Sequence, residues 1–309
     1  MKNNKMQSLI FALAGVLALT SCSNDDKREN NPQAIRFTGG IGIQSEIIPQ
    51  GRASGATWNN DDAIGIFMVD HGQAEVVESA ANRQFTTDGS GSFTPVAGDE
   101  IYFPMDASRK VDFIAYYPHE AGVTLDSEIE ISTADQSVPS SFDLLWAKAD
   151  NSDVGYDKEN PDAIPLTFDH KLAKLTMNCK ADAGVGATSL DGMTVVVRGM
   201  NTETTFAVKD GTLGTPTTVA DIATREIAPA DGFLFSCDAI ILPCSYAKGI
   251  VKVEFTINGE VYTWDMEQVD FTAGYDHVYE VILYRTGVKA TGTINPWNSV
   301  VNDNPVYAK

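Results

Sequence analysis

Residues 251–264 read VKVEFTINGEVYTW. Apolar and polar side chains alternate on both sides of Asn258-Gly259, as in a strand with one face on a core and the other in water. Asn and Gly both tolerate a positive φ, so this dipeptide favours a two-residue hairpin turn. The stretch therefore predicts two antiparallel strands joined by a tight turn.

The same period of two recurs along the chain. Four further candidate strands have the apolar positions Ile35, Phe37, Gly39, Ile41 and Ile43; Val111, Phe113, Ala115 and Tyr117; Ala173, Leu175, Met177 and Cys179; and Val288, Ala290, Gly292 and Ile294. No window of twelve or more residues keeps a helical period, although residues 141–149 are compatible with two helical turns around Leu144, Leu145 and Trp146. Strands that alternate with long helices are absent, so the sequence predicts an all-β, antiparallel sandwich fold.

The N-terminus has the pattern of an export signal. Lys2 and Lys5 precede an apolar run of eleven residues, 9–19, which is followed by Thr20, Ser21 and Cys22. As a helix this run would cover roughly half of a hydrocarbon core, which suits a signal peptide and is too short for a stable span. Its ending resembles the lipobox of bacterial lipoproteins. We therefore expect residues 1–21 to be a signal peptide and Cys22 to be lipidated, which gives a lipid anchor in the outer membrane at the cell surface; the alternative is an ordinary secretory signal with a chance cysteine.

The composition excludes one class of partner. The chain has 22 basic and 42 acidic residues, a formal net charge of −20. Such a charge repels phosphate backbones, so we expect no nucleic acid partner. An apolar fraction of 43% favours packed cores over disorder.

Once Cys22 is lipidated, three cysteines remain, and an odd number of cysteines cannot all pair in a disulfide framework. They are Cys179, Cys237 and Cys244. Two alternatives stay open for the last two residues: they pair across a turn, or they act as small buried hydrophobes.

Composition shifts divide the chain into segments. Residues 23–32 are polar and aperiodic, so we expect 22–32 to be a flexible tether. Residues 150–162 are acidic, rich in turn-forming residues and nearly free of aliphatic ones. We therefore expect two β-sandwich domains, an N-terminal one at 33–160 and a C-terminal one at 161–309.

The sequence lacks the residue patterns of an enzyme. Its four histidines are scattered, without the H-E-x-x-H spacing of a zinc site, and no G-x-S-x-G nucleophile elbow occurs. We expect no enzymatic activity, catalytic residue, metal or cofactor. The acidic loop at 150–157 suggests calcium but lacks the EF-hand spacing. Four tryptophans could form a glycan platform or pack in cores: Trp58, Trp146, Trp264 and Trp297.

Several short blocks along the chain resemble, in order, those of one protein family. They are WNNDDAIGIFM at 58–68, IYFP at 101–104, VDFIAYYP at 111–118, LTFDHKLAKL at 166–175, AGY at 273–275 with Tyr279, and INPW at 294–297. The blocks span nearly the whole predicted mature chain and resemble the fimbrillin-like lipoproteins of Bacteroidetes, which build type V pili.

The resemblance implies two tandem transthyretin-like sandwiches and assembly with other pilus subunits, including copies of itself, by donor-strand exchange. In that mechanism an Arg-specific protease cuts after the first strand, and a neighbour's terminal segment fills the groove. The candidate cleavage site here is Arg52-Ala53, in a segment rich in Gly, Ser and Pro, and the donor segment lies within 298–309. The candidate exchanged strand carries Ile35, Phe37, Ile41 and Ile43. The alternative function is a surface lipoprotein that binds a glycan or host ligand without polymerising.

Overall fold

The described part of the chain consists mainly of β-strands. The computed structural model describes residues 34–42 and 57–297, apart from 107, 161, 183, 184 and 186–189. Over these ranges the strands are β1 (Phe37–Ile41), β2 (Asn60–Asp70), β3 (Arg83–Asp88), β4 (Ser92–Pro95), β5 (Val111–Tyr117), β6 (Glu128–Ser132), β7 (Leu145–Ala149), β8 (Ile164–His170), β9 (Ala173–Ala181), β10 (Thr194–Ala207), β11 (Thr212–Leu213), β12 (Thr217–Ala223), β13 (Arg225–Ile227), β14 (Phe235–Ile241), β15 (Ser245–Tyr246), β16 (Lys252–Ile257), β17 (Glu260–Asp265), β18 (Val269–Asp270), β19 (Tyr275–Tyr284) and β20 (Gly287–Pro296). A 3₁₀ turn is present at Pro139–Ser141. The prediction of an all-β fold is confirmed.

The hairpin predicted at Asn258-Gly259 is present. Strands β16 and β17 pair from Lys252↔Asp265 to Ile257↔Glu260, so only the two predicted residues form the turn. Their φ angles are 50° and 81°, as a type I′ turn requires. The local sequence therefore accounts for the position and the type of this turn.

Seven strands form a closed sheet in the order β1-β4-β3-β2-β5-β7-β8, and β8 then pairs with β1 to complete the ring. The β1–β8 contact is parallel and the other contacts are antiparallel. The alternating apolar side chains of these strands point inward and fill the ring. This sheet is the part of the fold that positions the candidate site.

Two further sheets enclose a second core. One has the order β11-β10-β16-β17, with β12 and β6 also paired to β10, and the other has the order β13-β14-β9-β19-β20. Their inward side chains, such as Val253, Phe255 and Leu175, are fully buried between them. This face-to-face arrangement explains the strict alternation in β9 and β16, because each strand has one core face and one polar face.

A third apolar cluster connects the closed sheet to the other two sheets. Outward side chains of the closed sheet, Phe67 and Ile114, meet Phe206 of β10 and Ile240 of β14. Strand pairing also crosses the predicted domain boundary at 160/161: β6 pairs with β10, and β8 pairs with β1 and β7. The boundary itself stays a prediction.

One local interpretation needs correction, and one pair of open alternatives is decided. Residues 141–149 do not form helical turns, because β7 is a strand whose burial alternates from Leu145 to Ala149. A disulfide between Cys237 and Cys244 is not formed, since both thiols are free. Cys237 lies in the second core, where burial raises the pKa of its thiol to about 12. Cys237 therefore acts as a small buried hydrophobe, as the second of the two alternatives describes.

Among the described residues, no helix has the length and the apolar composition needed to cross a membrane.

His277 predicts a pH dependence of stability. It is fully buried, its Nε2 accepts a hydrogen bond from the Thr272 backbone N–H at 3.1 Å, and its Nδ1 has no partner among the described residues. Burial lowers its pKa from 6.5 to about 4. Because the folded pKa lies below the unfolded one, the stability is present above about pH 6.5 and is lost as the pH falls towards 4.

We expect the free energy of unfolding to decrease between pH 7 and pH 4.5 by about 2–3 kcal/mol more in the wild type than in His277→Gln. Urea titrations at the two pH values measure this difference. An equal decrease in both proteins would contradict the assignment.

Candidate functional site: the slot that holds the first strand

Strand β1 is hydrogen-bonded along both edges. It pairs in parallel with β8 over five positions, from Phe37↔Ile164 to Ile41↔Phe168. On its other edge it pairs with β4, and the Gly39 backbone N–H donates to the Gly91 carbonyl at 2.7 Å. The backbone of β1 therefore fills a one-strand gap between β4 and β8, which we call the slot. Strands in a sheet lie about 4.8 Å apart, so that gap is roughly 10 Å wide.

The inward side chains of β1 enter the core of the closed sheet. Ile35 and Phe37 are buried and Ile41 is partly buried. The Phe37 ring lies edge-to-face against Phe85 and Phe113, with ring centroids 5.2 and 5.1 Å apart. Such aromatic pairs add stability beyond their buried area, so Phe37 is the main side-chain anchor of the strand.

Gly39 takes the third inward position because the core leaves no room for a side chain there. A Cβ atom on Gly39 would lie 2.6 Å from the Phe93 ring and 3.1 Å from the Phe168 ring. Both rings pack edge-to-face on Trp58, and the Trp58 Nε1–H donates to the Gly39 carbonyl at 2.8 Å. The three rings are buried and hold one another, so they form a fixed small pocket in the slot.

The predicted site residues fall into two groups. The structure brings Ile35, Phe37 and Ile41 together on the inner face of β1. Ile43, Cys22, Arg52 and Ala53 lie outside the described residues, so lipidation and cleavage stay predictions. The sequence also placed Gly39 in the alternating pattern, but its contacts with Trp58, Phe93 and Phe168 were missed because they join distant parts of the chain.

Other predicted features have structural roles. His170 stacks on Trp297 at 3.9 Å between ring centroids and hydrogen-bonds through Nδ1 to Asp143 at 2.8 Å. Trp146 donates its Nε1–H to the Val208 carbonyl, and the Trp264 ring packs on Tyr279. With Trp58 and Trp297 buried, all four tryptophans pack against protein, which favours the core alternative over the glycan platform.

The described residues contain no group of three or more His, Cys, Asp or Glu side chains arranged to hold a metal ion. In the acidic loop, Asp150 accepts hydrogen bonds from the Lys148 ammonium and the Asp153 backbone N–H. The chemistry that the site offers is therefore that of strand pairing and apolar side-chain capture.

Comparison with known proteins identifies the family. The family model described as fimbrillin-like matches residues 51–297. The chain belongs to the fimbrillin-like family.

Its relatives include a protein of Bacteroides uniformis named as a candidate fimbrium subunit, Fim1C. The two sequences are 32% identical over 306 residues, and the alignment covers 95% of this chain and 95% of the relative. A solved structure of a proposed cell adhesion protein from Bacteroides uniformis is 27% identical, with a TM-score of 0.68, over 85% of this chain and 98% of that one. A similar protein from Bacteroides ovatus is 25% identical, with a TM-score of 0.68, over 88% of this chain and 99% of that one.

The sequence blocks of this fimbrillin-like chain correspond to contacts around the closed sheet. Gly65 has no side chain because a Cβ there would lie 2.3 Å from the Tyr116 ring. The Tyr116 hydroxyl donates to Asn82 Oδ1 at 2.8 Å, and burial raises its pKa to about 12. Next to it, the Tyr117 hydroxyl donates to Asp62 at 3.1 Å. The blocks at 58–68 and 111–118 are therefore packing partners on the neighbouring strands β2 and β5.

The pocket at Gly39 generates a test with a matched control. Gly39 and Gly40 are neighbours in β1, but only Gly39 faces the rings, and a Cβ on Gly40 meets no atom within 4 Å. We expect Gly39→Val to lower the free energy of unfolding by about 1–3 kcal/mol through overpacking, and Gly40→Val to leave it within about 0.5 kcal/mol. Urea denaturation measures both. Equal effects of the two substitutions would show that the pocket does not select for glycine.

Proposed function

We propose that this protein is a fimbrium subunit of the cell surface that assembles by exchanging its first strand for an extended segment of another subunit. The observation that carries the proposal is the position of β1. It lies between β4 and β8, and its inward side chains are anchored in the core of the closed sheet. Membership of the fimbrillin-like family and the name of the relative Fim1C support a role in a fimbrium.

The connectivity makes β1 separable. In sequence β1 is followed by β2, but in the sheet β2 lies between β3 and β5 and does not pair with β1. The proposed cleavage after Arg52 falls in the connection between the two strands. Once that connection is cut, only hydrogen bonds and side-chain packing hold β1 in the slot.

The empty slot would favour a replacement strand strongly. Its two edges, on β4 and β8, present unpaired backbone groups, and the Phe37 position leaves an apolar hole. Burying a Phe or Ile side chain contributes about 1.5–3 kcal/mol, and each backbone hydrogen bond adds about 1 kcal/mol. An incoming strand regains both terms, which is the basis of β-strand addition at an open sheet edge.

Delivery and partners complete the proposal. Lipidated Cys22 holds the precursor at the outer membrane, and an Arg-specific protease releases the tether together with β1. The partners are other subunits, including copies of this chain, whose donor segment lies within 298–309. As part of the same proposal, residues 33–160 and 161–309 are two tandem transthyretin-like domains.

Cleavage and peptide competition test this mechanism. We expect an Arg-specific protease to give a product that begins at Ala53 and forms multimers that resist heating in detergent. A synthetic peptide of residues 34–43 should block multimer formation by filling the slot. Electrophoresis and N-terminal sequencing measure both effects.

Two variant peptides make the competition specific. The peptide with Gly39→Val should fail to block, because its side chain meets the Phe93 and Phe168 rings, whereas the Gly40→Val peptide should block like the wild type. A cleaved protein that stays monomeric, or peptides that act without regard to position 39, would count against strand exchange.

A further inference from the structure

Among the described strands, β6 has a partner along one edge only, and its other edge is called the free edge here. It pairs with β10 from Glu128↔Ala207 to Ser132↔Glu203, and it pairs with no other described strand. Directly beyond its ends, the Val208 N–H donates to the Ser127 carbonyl and the Thr133 N–H donates to the Thr202 carbonyl.

Hydrogen-bonded and non-bonded pairs alternate in an antiparallel ladder. Residues 127, 129, 131 and 133 therefore bond to β10, and the backbone groups of Glu128, Glu130 and Ser132 point away from β10. These three residues are exposed. The free edge thus offers regularly spaced donors and acceptors to a further strand.

A groove runs beside this edge. Its volume is about 490 Å³, and besides β6 its lining includes Pro118, Glu120 and the segment around Val138. Ile129 and Ile131 of β6 line it together with Phe142 and Leu144 of the third apolar cluster. Val138, which is 55% exposed, adds apolar surface to the groove. The groove can accept the apolar side chains of a strand that lies along β6.

The charges at the groove have one sign. Glu120, Glu130 and Asp135 are among its lining residues, and none of the described lining residues is Lys, Arg or His. On β6 the two faces differ: Ile129 and Ile131 face the apolar cluster, and Glu128 and Glu130 face solvent. A strand paired to β6 would therefore carry apolar side chains on the face of Ile129 and Ile131. On its other face it would carry basic side chains next to Glu128 and Glu130.

We propose that the free edge of β6 and its groove are a second strand-binding site, which takes an extended segment of another protein with alternating apolar and basic residues. This site is separate from the slot of β1. It uses different strands and would be available whether or not β1 is exchanged.

Charge distinguishes this occupant from two others. A second copy of β6 would place Glu128 and Glu130 opposite glutamates, and like charges in facing positions are destabilising. The segment 298–309 of this chain contains one Lys and one Asp, so it has no excess of positive charge to meet three carboxylates. A basic partner segment matches both the acidic rim and the net charge of −20.

Binding of a probe peptide to the purified full chain tests the site. The probe is a fluorescent, acetylated Lys-Val-Lys-Val-Lys-Val peptide, and anisotropy gives its dissociation constant. We expect saturable binding, weakened at least about tenfold by Glu130→Lys, which repels the lysines, and by Val138→Asn, which puts an uncharged polar group in the groove. Two control variants carry matched substitutions at exposed positions of other edge strands, Glu226→Lys in β13 and Val219→Asn in β12, and they should bind the probe like the wild type.

Backbone readouts separate strand pairing from adsorption by charge. Two N-methylated peptides are compared, one methylated at the odd-numbered amides and one at the even-numbered amides. Only one of these two sets of amides points towards β6, so one peptide should lose binding and the other should keep it. Hydrogen exchange should slow at the Glu128, Glu130 and Ser132 amides when the peptide binds.

Three results would overturn the proposal. They are no saturable binding at about 1 mM peptide, equal binding by the groove variants and their controls, or slow exchange of these three amides before any peptide is added. The last result would mean that another part of the chain already covers the edge.

Discussion

The closed sheet depends on the pairing of β1 with β8. These strands are separated by more than a hundred residues, and their parallel contact joins the start of the described chain to the segment after the acidic loop at 150–162. Since β4 bonds to the other edge of β1, one five-residue strand connects two edges that do not otherwise meet. The packing of the interior, with Phe37 between Phe85 and Phe113, depends on that closure.

The same arrangement gives β1 a defined register. Phe37 needs the hole between two rings, and Gly39 must face Phe93 and Phe168, so a shift by one residue would move every inward side chain to the outer face. The Trp58 hydrogen bond to the Gly39 carbonyl holds the backbone at that position. If the segment 298–309 of a copy takes this place during assembly, Val306 and Ala308 offer an apolar side chain and, two residues on, the smallest one in a segment without glycine, so the Phe93 ring has to shift to admit it. The slot would thereby select its occupant by shape, whereas the free edge of β6 would select by charge.

Local sequence patterns predicted the strands better than their arrangement. The alternation in β5, β9, β16 and β20 and the Asn258-Gly259 turn are properties of neighbouring residues, and the structure contains all of them. Strand β7 was misread because Leu144, Leu145 and Trp146 are consecutive, which suits a helix; in the structure Leu144 belongs to the third cluster and Leu145 to the core of the closed sheet. Sheet order and the parallel β1–β8 contact depend on pairings between distant segments, which no local pattern encodes. For the same reason the inner face of β1 was predicted, but the ring pocket at Gly39 was not.

A reversible covalent lock on β1 tests most directly whether this strand must leave the slot. Gly40 and Thr167 face each other in the parallel pair of β1 and β8, and both are exposed, so a Gly40→Cys/Thr167→Cys double variant can form a disulfide across the two strands. After cleavage at Arg52, the oxidised variant should keep the fragment that contains β1 and stay monomeric, and reduction should release the fragment and allow multimers to form. Multimers that form equally well with the disulfide intact would contradict strand exchange at this slot.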